Sequence, residues 1–198
     1  MGANAAVRRG ILTRLAATAE LHGCTEVVLP SVEFAHLYEE KAGAEVLEQM
    51  YTFPDRKGRG LCLRPEGTAT VQALAHTTLK MQRDVKLWYE ARCWRYERPQ
   101  AGRYREFTQF GVEVIWPRAD AVPDLIALAT SMIAAITPNY VVTTSAKRGF
   151  AYYVNGDGFE ISCPELGAQQ QVCGGGAYAE GAGFAFGVDR LMLLGGAP

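Results

Sequence analysis

The sequence predicts an α+β fold, a mostly antiparallel sheet flanked by helices. Stretches with apolar residues at helical spacing alternate with stretches whose apolar residues recur at every second position. Several of the second kind are joined by short turns rich in Gly, Pro and Asp, as antiparallel neighbours need. The chain has 198 residues, 48% of them hydrophobic, enough to bury one sizeable core. With no internal repeat, low-complexity tract or linker, one domain over residues 1–198 is expected.

Each element has its own signal. Residues 5–22 place Val7, Ile11, Leu15 and Leu21 near helical spacing, and Gly23 supplies a stop. "TEVVLP" reads as a short strand ended by Pro30, and Phe34 to about Ala44 as a helix. "MYTFPDRKGRGLCL" reads as a hairpin turning at Asp55–Gly58. A helix follows over Thr68–Lys80, with Val71, Leu74, Ala75 and Leu79 on one side. Two long strands, Val85–Glu97 and Arg105–Trp116, are joined by "RPQAGRY". Pro123–Ile136 is a helix with Pro at its start. "YVVTT" is a strand, "FAYYVNGDGFEISC" a hairpin with "NGDG" at its turn, and "QQQVCGGG" a strand. "GFAFGVDRLMLL" sets Phe184, Val188, Leu191 and Met192 at helical spacing.

Composition narrows the function classes. A net charge of −1 advertises neither nucleic acid nor an anionic membrane. No apolar run approaches the roughly 18 residues that a membrane span needs, and no signal peptide is readable. Gly2 follows Met1, but Ala6 stands where a myristoylation signal has Ser or Thr. The five cysteines form no CxxC pair and the three histidines lie far apart. A disulfide framework and a protein-held metal are therefore not expected, and a reducing cytoplasm is the expected setting.

The chemistry concentrates in "WRYERPQAGRYREFTQFGVE", Trp94 to Glu113. Side chains alternate faces along a strand, so Arg105, Phe107, Gln109, Gly111 and Glu113 share one face. Thr108, Phe110, Val112 and Val114 share the other with Glu106. On the partner strand, Tyr89, Ala91, Cys93, Arg95 and Glu97 share a face with one another. This charged face is either a solvated outer surface with cross-strand ion pairs or the floor of a ligand site. As a floor, Arg95 would neutralise an anion and Phe107 would stack on a planar ring. Gln109 and Glu113 would read hydrogen-bond donors, and Gly111 would leave room beside them. A second cluster, "LRPEGT", puts Glu66 between Pro65 and Gly67 at a strand-to-helix junction, compatible with a plain helix cap or with a binding carboxylate.

These strings together with "KRGFAYY", "GAQQQVCGGGAY" and "GFAFGVDRLMLL", in that order, resemble the catalytic domain of histidine–tRNA ligase, a class II aminoacyl-tRNA synthetase. The hairpin is similar to the second class motif, with Trp94 for Phe, and "GFAFGVDRL" to the third, with Asp189 for Glu. "LRPEGT" and "RGFAYY" resemble the histidine-specific signatures. The resemblance implies a class II antiparallel sheet and activation of histidine by ATP to histidyl-adenylate, with Mg2+ accompanying the nucleotide. It implies that Arg95 holds the α-phosphate and the attacking carboxylate, and that Arg148 stabilises charge developing at phosphorus. Arg103 and Arg190 would clamp the outer phosphates. Phe107 and Arg190 would sandwich the adenine and Glu97 approach its amino group. Glu66 and Thr68 would take the α-ammonium of histidine, Gln109 its carboxyl end, and Glu113, Tyr153 and Tyr178 its imidazole.

Three departures accompany the resemblance. Ala151 stands where the family has Asp; Ala177 and Ala179 stand where it has Arg and Asp, and a shared lost ion pair would account for both changes. Only residues 114–147 lie between Glu113 and Arg148, where the family carries a helical insertion. The chain ends after "RLMLLGGAP", where the family continues into an anticodon-binding domain. Tight tRNA binding is therefore not expected, and a carrier protein or small molecule is an alternative acceptor. A homodimer is implied through "GCTEVVLPSVEFAHLY", the place of the first class motif. Two other functions fit the resemblance: a non-catalytic histidine-sensing paralogue, like the regulatory subunit of ATP phosphoribosyltransferase, and the catalytic core of a true histidine–tRNA ligase.

Overall fold

The computed structural model describes residues 2–41, 43–154 and 157–194. Helix α1 (Gly2–Leu21) buries Ile11, Leu15 and Ala19. It ends at Gly23, whose φ of +78° lets the Cys24 N–H reach the Ala19 carbonyl at 3.0 Å and close the last turn. Leu21, expected on the inner face, is 86% exposed, and Ala19 takes the inward position instead. The "TEVVLP" stretch contributes strand β1 (Thr25–Glu26), which pairs in parallel with β5 (Val85–Trp94).

Strand β2 (Val32–Phe34), helix α2 (Ala35–Lys41), short helix α3 (Ala44–Glu48), β3 (Thr52–Pro54) and β4 (Gly60–Leu63) follow. Phe34 therefore lies on a strand and not at a helix start, because it pairs with Leu61 in the three-stranded sheet β2-β4-β3. The predicted hairpin turn is present: Asp55 accepts the Lys57 and Arg59 N–H groups at 2.8 and 2.9 Å. Helix α4 (Thr68–His76) stops four residues earlier than the sequence suggests.

The main sheet has seven strands in the order β1-β5-β6-β10-β9-β8-β7, antiparallel apart from β1. Its further strands are β6 (Glu106–Ile115), β7 (Val141–Lys147), β8 (Asp157–Ser162), β9 (Gln171–Tyr178) and β10 (Gly181–Gly187). Helix α5 (Val122–Ala134) and helix α6 (Val188–Leu194) complete the chain, with a 3-10 segment over Pro164–Gln169. Two further sequence readings are corrected. Strand β8 pairs with β7 and not with the tyrosines before it; residues 148–154 form turns with one bridge, Tyr153 to Tyr178. The expected turn residues Asn155 and Gly156 lie outside the described residues. Phe184 lies on β10 between Gly175 and Val112, so only the residues from Val188 onward are helical.

The two faces of the sheet are unlike. One carries Trp88, Phe110, Val112, Phe184 and Phe186 into a large core with Leu15 of α1, Ile133 of α5 and Leu191 of α6. The other carries Tyr89, Ala91, Cys93 and Tyr178 against Val71 and Ala75 of α4. Burial of these side chains drives the fold. The second face continues past its apolar part into the charged hairpin.

Candidate active site

Cross-strand register builds the floor. Cys93 faces Phe107, Ala91 faces Gln109 and Tyr89 faces Gly111, so the predicted faces meet. Past the strand ends the Arg95 N–H donates to the Arg105 carbonyl at 2.9 Å, which carries Arg95 onto the same surface. Above that floor lies a pocket of about 250 Å³, lined among others by Glu66, Thr68, Arg95, Glu97, Arg103, Phe107, Gln109, Arg148, Tyr153 and Arg190. Four arginines from the β5–β6 connection, the β7–β8 connection and helix α6 thus meet in one cavity. Glu113 and Tyr178 do not line it; they lie a layer behind.

Glu66 is nearly fully buried and accepts the N–H groups of Thr68 and Ala69 at 2.6 and 2.8 Å, capping α4 with its side chain. The cap and the pocket position are therefore one arrangement. Burial raises its pKa, while the two N–H bonds and nearby Arg95 pull it back. The Gln109 carbonyl accepts the Gly67 N–H at 3.0 Å and holds the loop to the floor.

Gly111 does not leave room for a ligand. The Tyr89 ring fills that space: a Cβ on Gly111 would fall 2.1 Å from its Cζ, and one on Gly67 2.3 Å from its Cε2. Tyr89 is thus clamped between two glycines, and its hydroxyl points at Glu113. Thr68, Tyr178 and Tyr89 hydroxyls donate to Glu113 at 2.7, 2.7 and 3.3 Å. Complete burial pushes the Glu113 carboxyl up to about 8, against the pull of those hydroxyls. Burial, with the Glu113 charge next, raises Tyr178 well above its ordinary range.

On the phosphate side, Arg95 Nε donates to the Pro65 carbonyl at 2.9 Å, and its guanidinium lies 5.3 Å from the Phe107 ring centre. Arg103 and Glu97 form an ion pair at 2.6 Å. Arg190 donates to the Gly102 carbonyl at 2.9 Å, which ties α6 to the hairpin loop. Burial, then the charge of Arg103, lowers its pKa. Arg148 lies over the Tyr153 ring at 5.5 Å, with Glu160 at 3.8 Å. The glycines of "CGGG" make its bed, since a Cβ on Gly174 would fall 2.1 Å from Arg148 Nη2.

Several lining residues went unassigned in the sequence: Phe150, Tyr152, Cys173, Gly174 and Asp189. The signal for Gly174 was its glycine-rich strand. Asp189 accepts the Thr108 N–H at 2.6 Å, joining α6 to β6. Ala151 is exposed while Ala177 packs against the main core. Among the described residues no cluster of three or more His, Cys, Asp or Glu could hold a metal ion.

A family profile described as histidyl-tRNA synthetase matches residues 2–142. A histidine–tRNA ligase of Archaeoglobus fulgidus is 42% identical over 137 residues, covering 67% of this chain and 33% of that protein. One of Aquifex aeolicus is 45% identical over 125 residues, covering 59% and 30%. Each match thus spans about a third or less of the relative. Apo histidyl-tRNA synthetase of S. aureus superposes with a TM-score of 0.72 at 24% identity, over 94% of this chain and 64% of that one. A histidine–tRNA ligase subunit of Alicyclobacillus acidocaldarius gives 0.79 at 17%, over 96% and 93%. These structures share the class II fold, including the β7–α6 part beyond the profile match. By sequence and fold together, the chain belongs to the histidyl-tRNA synthetase family.

Proposed function

We propose that this protein activates histidine with ATP, forming histidyl-adenylate and pyrophosphate. The observation that carries the reading is the meeting of Arg95, Arg103, Arg148 and Arg190 in a cavity also lined by Glu66, Thr68 and Gln109. A carboxylate oxygen of histidine attacks the α-phosphorus, and the bond from that phosphorus to the bridging oxygen breaks as MgPPi leaves. Two anions must approach while a third departs. Fixed guanidinium groups reduce that repulsion without reorganising during the step. Arg95 and Arg148 serve the α-phosphate, and Arg103 and Arg190 the leaving phosphates. Phe107 with Arg190 takes the adenine, and Glu97 its amino group. Glu66 and Thr68 receive the α-ammonium, and Gln109 the carboxyl end.

Glu113, Tyr153 and Tyr178 recognise the imidazole. The buried Glu113 carboxyl, already surrounded by hydroxyls, can trade one of them for an imidazole nitrogen, and a side chain without ring nitrogens leaves polar atoms unpaired. The acyl group then passes to a nucleophile, a tRNA hydroxyl, a carrier protein or a small molecule, as its bond to the phosphate oxygen breaks and AMP leaves. The chain is read as one catalytic domain acting as a homodimer. Supporting the dimer, Val32, Phe34 and Phe53 flank Leu61 and Leu63 on the outer face of the small sheet, at 45, 40 and 40% exposure. Five buried free cysteines suit a reducing cytoplasm.

The test is ATP–pyrophosphate exchange with each of the twenty amino acids, with Arg148→Ala as control. Histidine-dependent exchange lost in the variant supports activation. Exchange with no amino acid, from folded protein, would remove the enzymatic reading in favour of a histidine-sensing paralogue.

A further inference from the structure

The loop between β7 and β8 carries an aromatic side chain that the activation reading leaves unused. Phe150 lies with its ring centre 5.4 Å from the Arg95 guanidinium carbon. Phe107 is at 5.3 Å from the same carbon, and the Pro65 carbonyl accepts from Arg95 Nε at 2.9 Å. Arg95 is thus held by two aromatic rings, one from the sheet floor and one from the loop, and by one backbone acceptor.

Phe150 itself is braced. It stacks on Tyr152 at 5.2 Å with an interplanar angle of 22°, and it packs against the small core around Tyr38, Val46 and Cys62. The chain beside it is pressed close to the segment before α3, where a Cβ on Gly43 would fall 2.6 Å from the Gly149 carbonyl. The other end of α3 is tied to the hairpin by the Tyr96 N–H, which donates to the Gln49 carbonyl at 2.7 Å.

We infer that Phe150 is a positioning residue that holds the Arg95 guanidinium in place for the α-phosphate and so couples the aromatic loop of the amino-acid pocket to the phosphate site. The inference rests on the proposed activation chemistry for its functional consequence, but the Arg95–Phe150 contact stands without it. A guanidinium over an aromatic face is attracted by the ring quadrupole, more strongly where water is excluded. Pinning it beforehand removes the ordering cost that a free arginine would meet when the phosphate arrives. A leucine at this position keeps apolar packing on the core around Tyr38, Val46 and Cys62 but lacks the ring face.

The experiment compares wild type, Phe150→Leu and Phe150→Ala of the whole chain by two readouts. The first is the Arg95 Nε–H resonance, identified by its loss in Arg95→Lys. In wild type it is displaced by ring currents and exchanges slowly with solvent; in Phe150→Leu the displacement shrinks to the part due to Phe107 and exchange quickens, while the melting temperature stays within a few degrees. The second is histidine-dependent pyrophosphate exchange, whose kcat falls about tenfold in Phe150→Leu with KM for histidine unchanged. A merely structural role would move the melting temperature and leave the resonance alone. An Arg95 resonance unaltered in both variants, or an altered resonance with wild-type kcat, overturns the inference. Absence of exchange in wild type instead falls on the activation reading and takes the kinetic role of Phe150 with it; the resonance still decides whether Phe150 holds Arg95.

Discussion

The Arg148 guanidinium rests on the backbone of Gly174, so closely that a Cβ there would lie 2.1 Å from Nη2. The strand β9 therefore carries glycine where the arginine must lie flat along the pocket wall. Gly174→Ala pushes the far end of a flexible side chain and not backbone. The expected outcome is a melting temperature close to wild type with exchange reduced at least about tenfold, measured side by side on the two proteins. Unchanged exchange would show that Arg148 does not act from this pose.

Arg148→Ala removes a fixed charge that acts as the new P–O bond forms. By analogy with loss of one preorganised electrostatic contact, kcat for pyrophosphate exchange falls about a hundredfold to a thousandfold. KM for histidine moves little, because the interaction belongs to the transition state. Steady-state exchange at varied histidine separates the two constants.

Glu113 links stability to pH. Burial raises its folded-state pKa to about 8, so between the ordinary carboxylate range and that value the folded protein holds a proton that the unfolded chain has released. Stability from this group is greatest at low pH and declines as pH rises through that window, by at most about 1.4 kcal/mol per pH unit. Denaturant titrations from pH 5 to 8 should show a shallower decline in Glu113→Gln. Equal slopes for the two proteins would remove Glu113 as the source.

Tyr89 is wedged between Gly67 and Gly111, and neither position tolerates a side chain. Gly111→Ala forces a Cβ to within 2.1 Å of a rigid ring, so it should destabilise by about 1–3 kcal/mol, as overpacking does. Urea unfolding measures it, and a loss under about 0.5 kcal/mol would mean that the ring moves freely.

The apolar outer face of the small sheet gives a prediction about assembly. Phe53→Glu adds a charge beside Leu61, on the same face as Phe34 and Val32, and Phe53 does not line the pocket. Sedimentation should show a dimer in wild type and a monomer in the variant. A wild-type monomer, or a variant that stays dimeric, would place any interface elsewhere.

Much of the fold was legible because its periodicities are clean. The face of Phe107, Gln109 and Glu113 follows from alternation alone, and the register of β5 on β6 bears it out. Phe184 was misread because it falls at helical spacing with Val188, Leu191 and Met192 across the strand-to-helix junction at Gly187, so its position fits both periods. The partner of β8 was misread because "NGDG" carries a strong local turn signal, while the pairing with β7 depends on a longer connection. Leu21 was misplaced because the last turn of α1 projects past the core that Ala19 meets.

The sequence by itself determined the fold class and the order of motifs, because local spacing and residue chemistry are written along the chain, and the resemblance of those motifs to the family singled out the four arginines. Only the tertiary structure decided that Tyr89 fills the gap at Gly111, that Glu113 and Tyr178 stand behind the pocket wall, and that Phe150 reaches Arg95. Those relations join residues on different strands and loops, and packing in three dimensions chooses among neighbours that no spacing along the chain distinguishes.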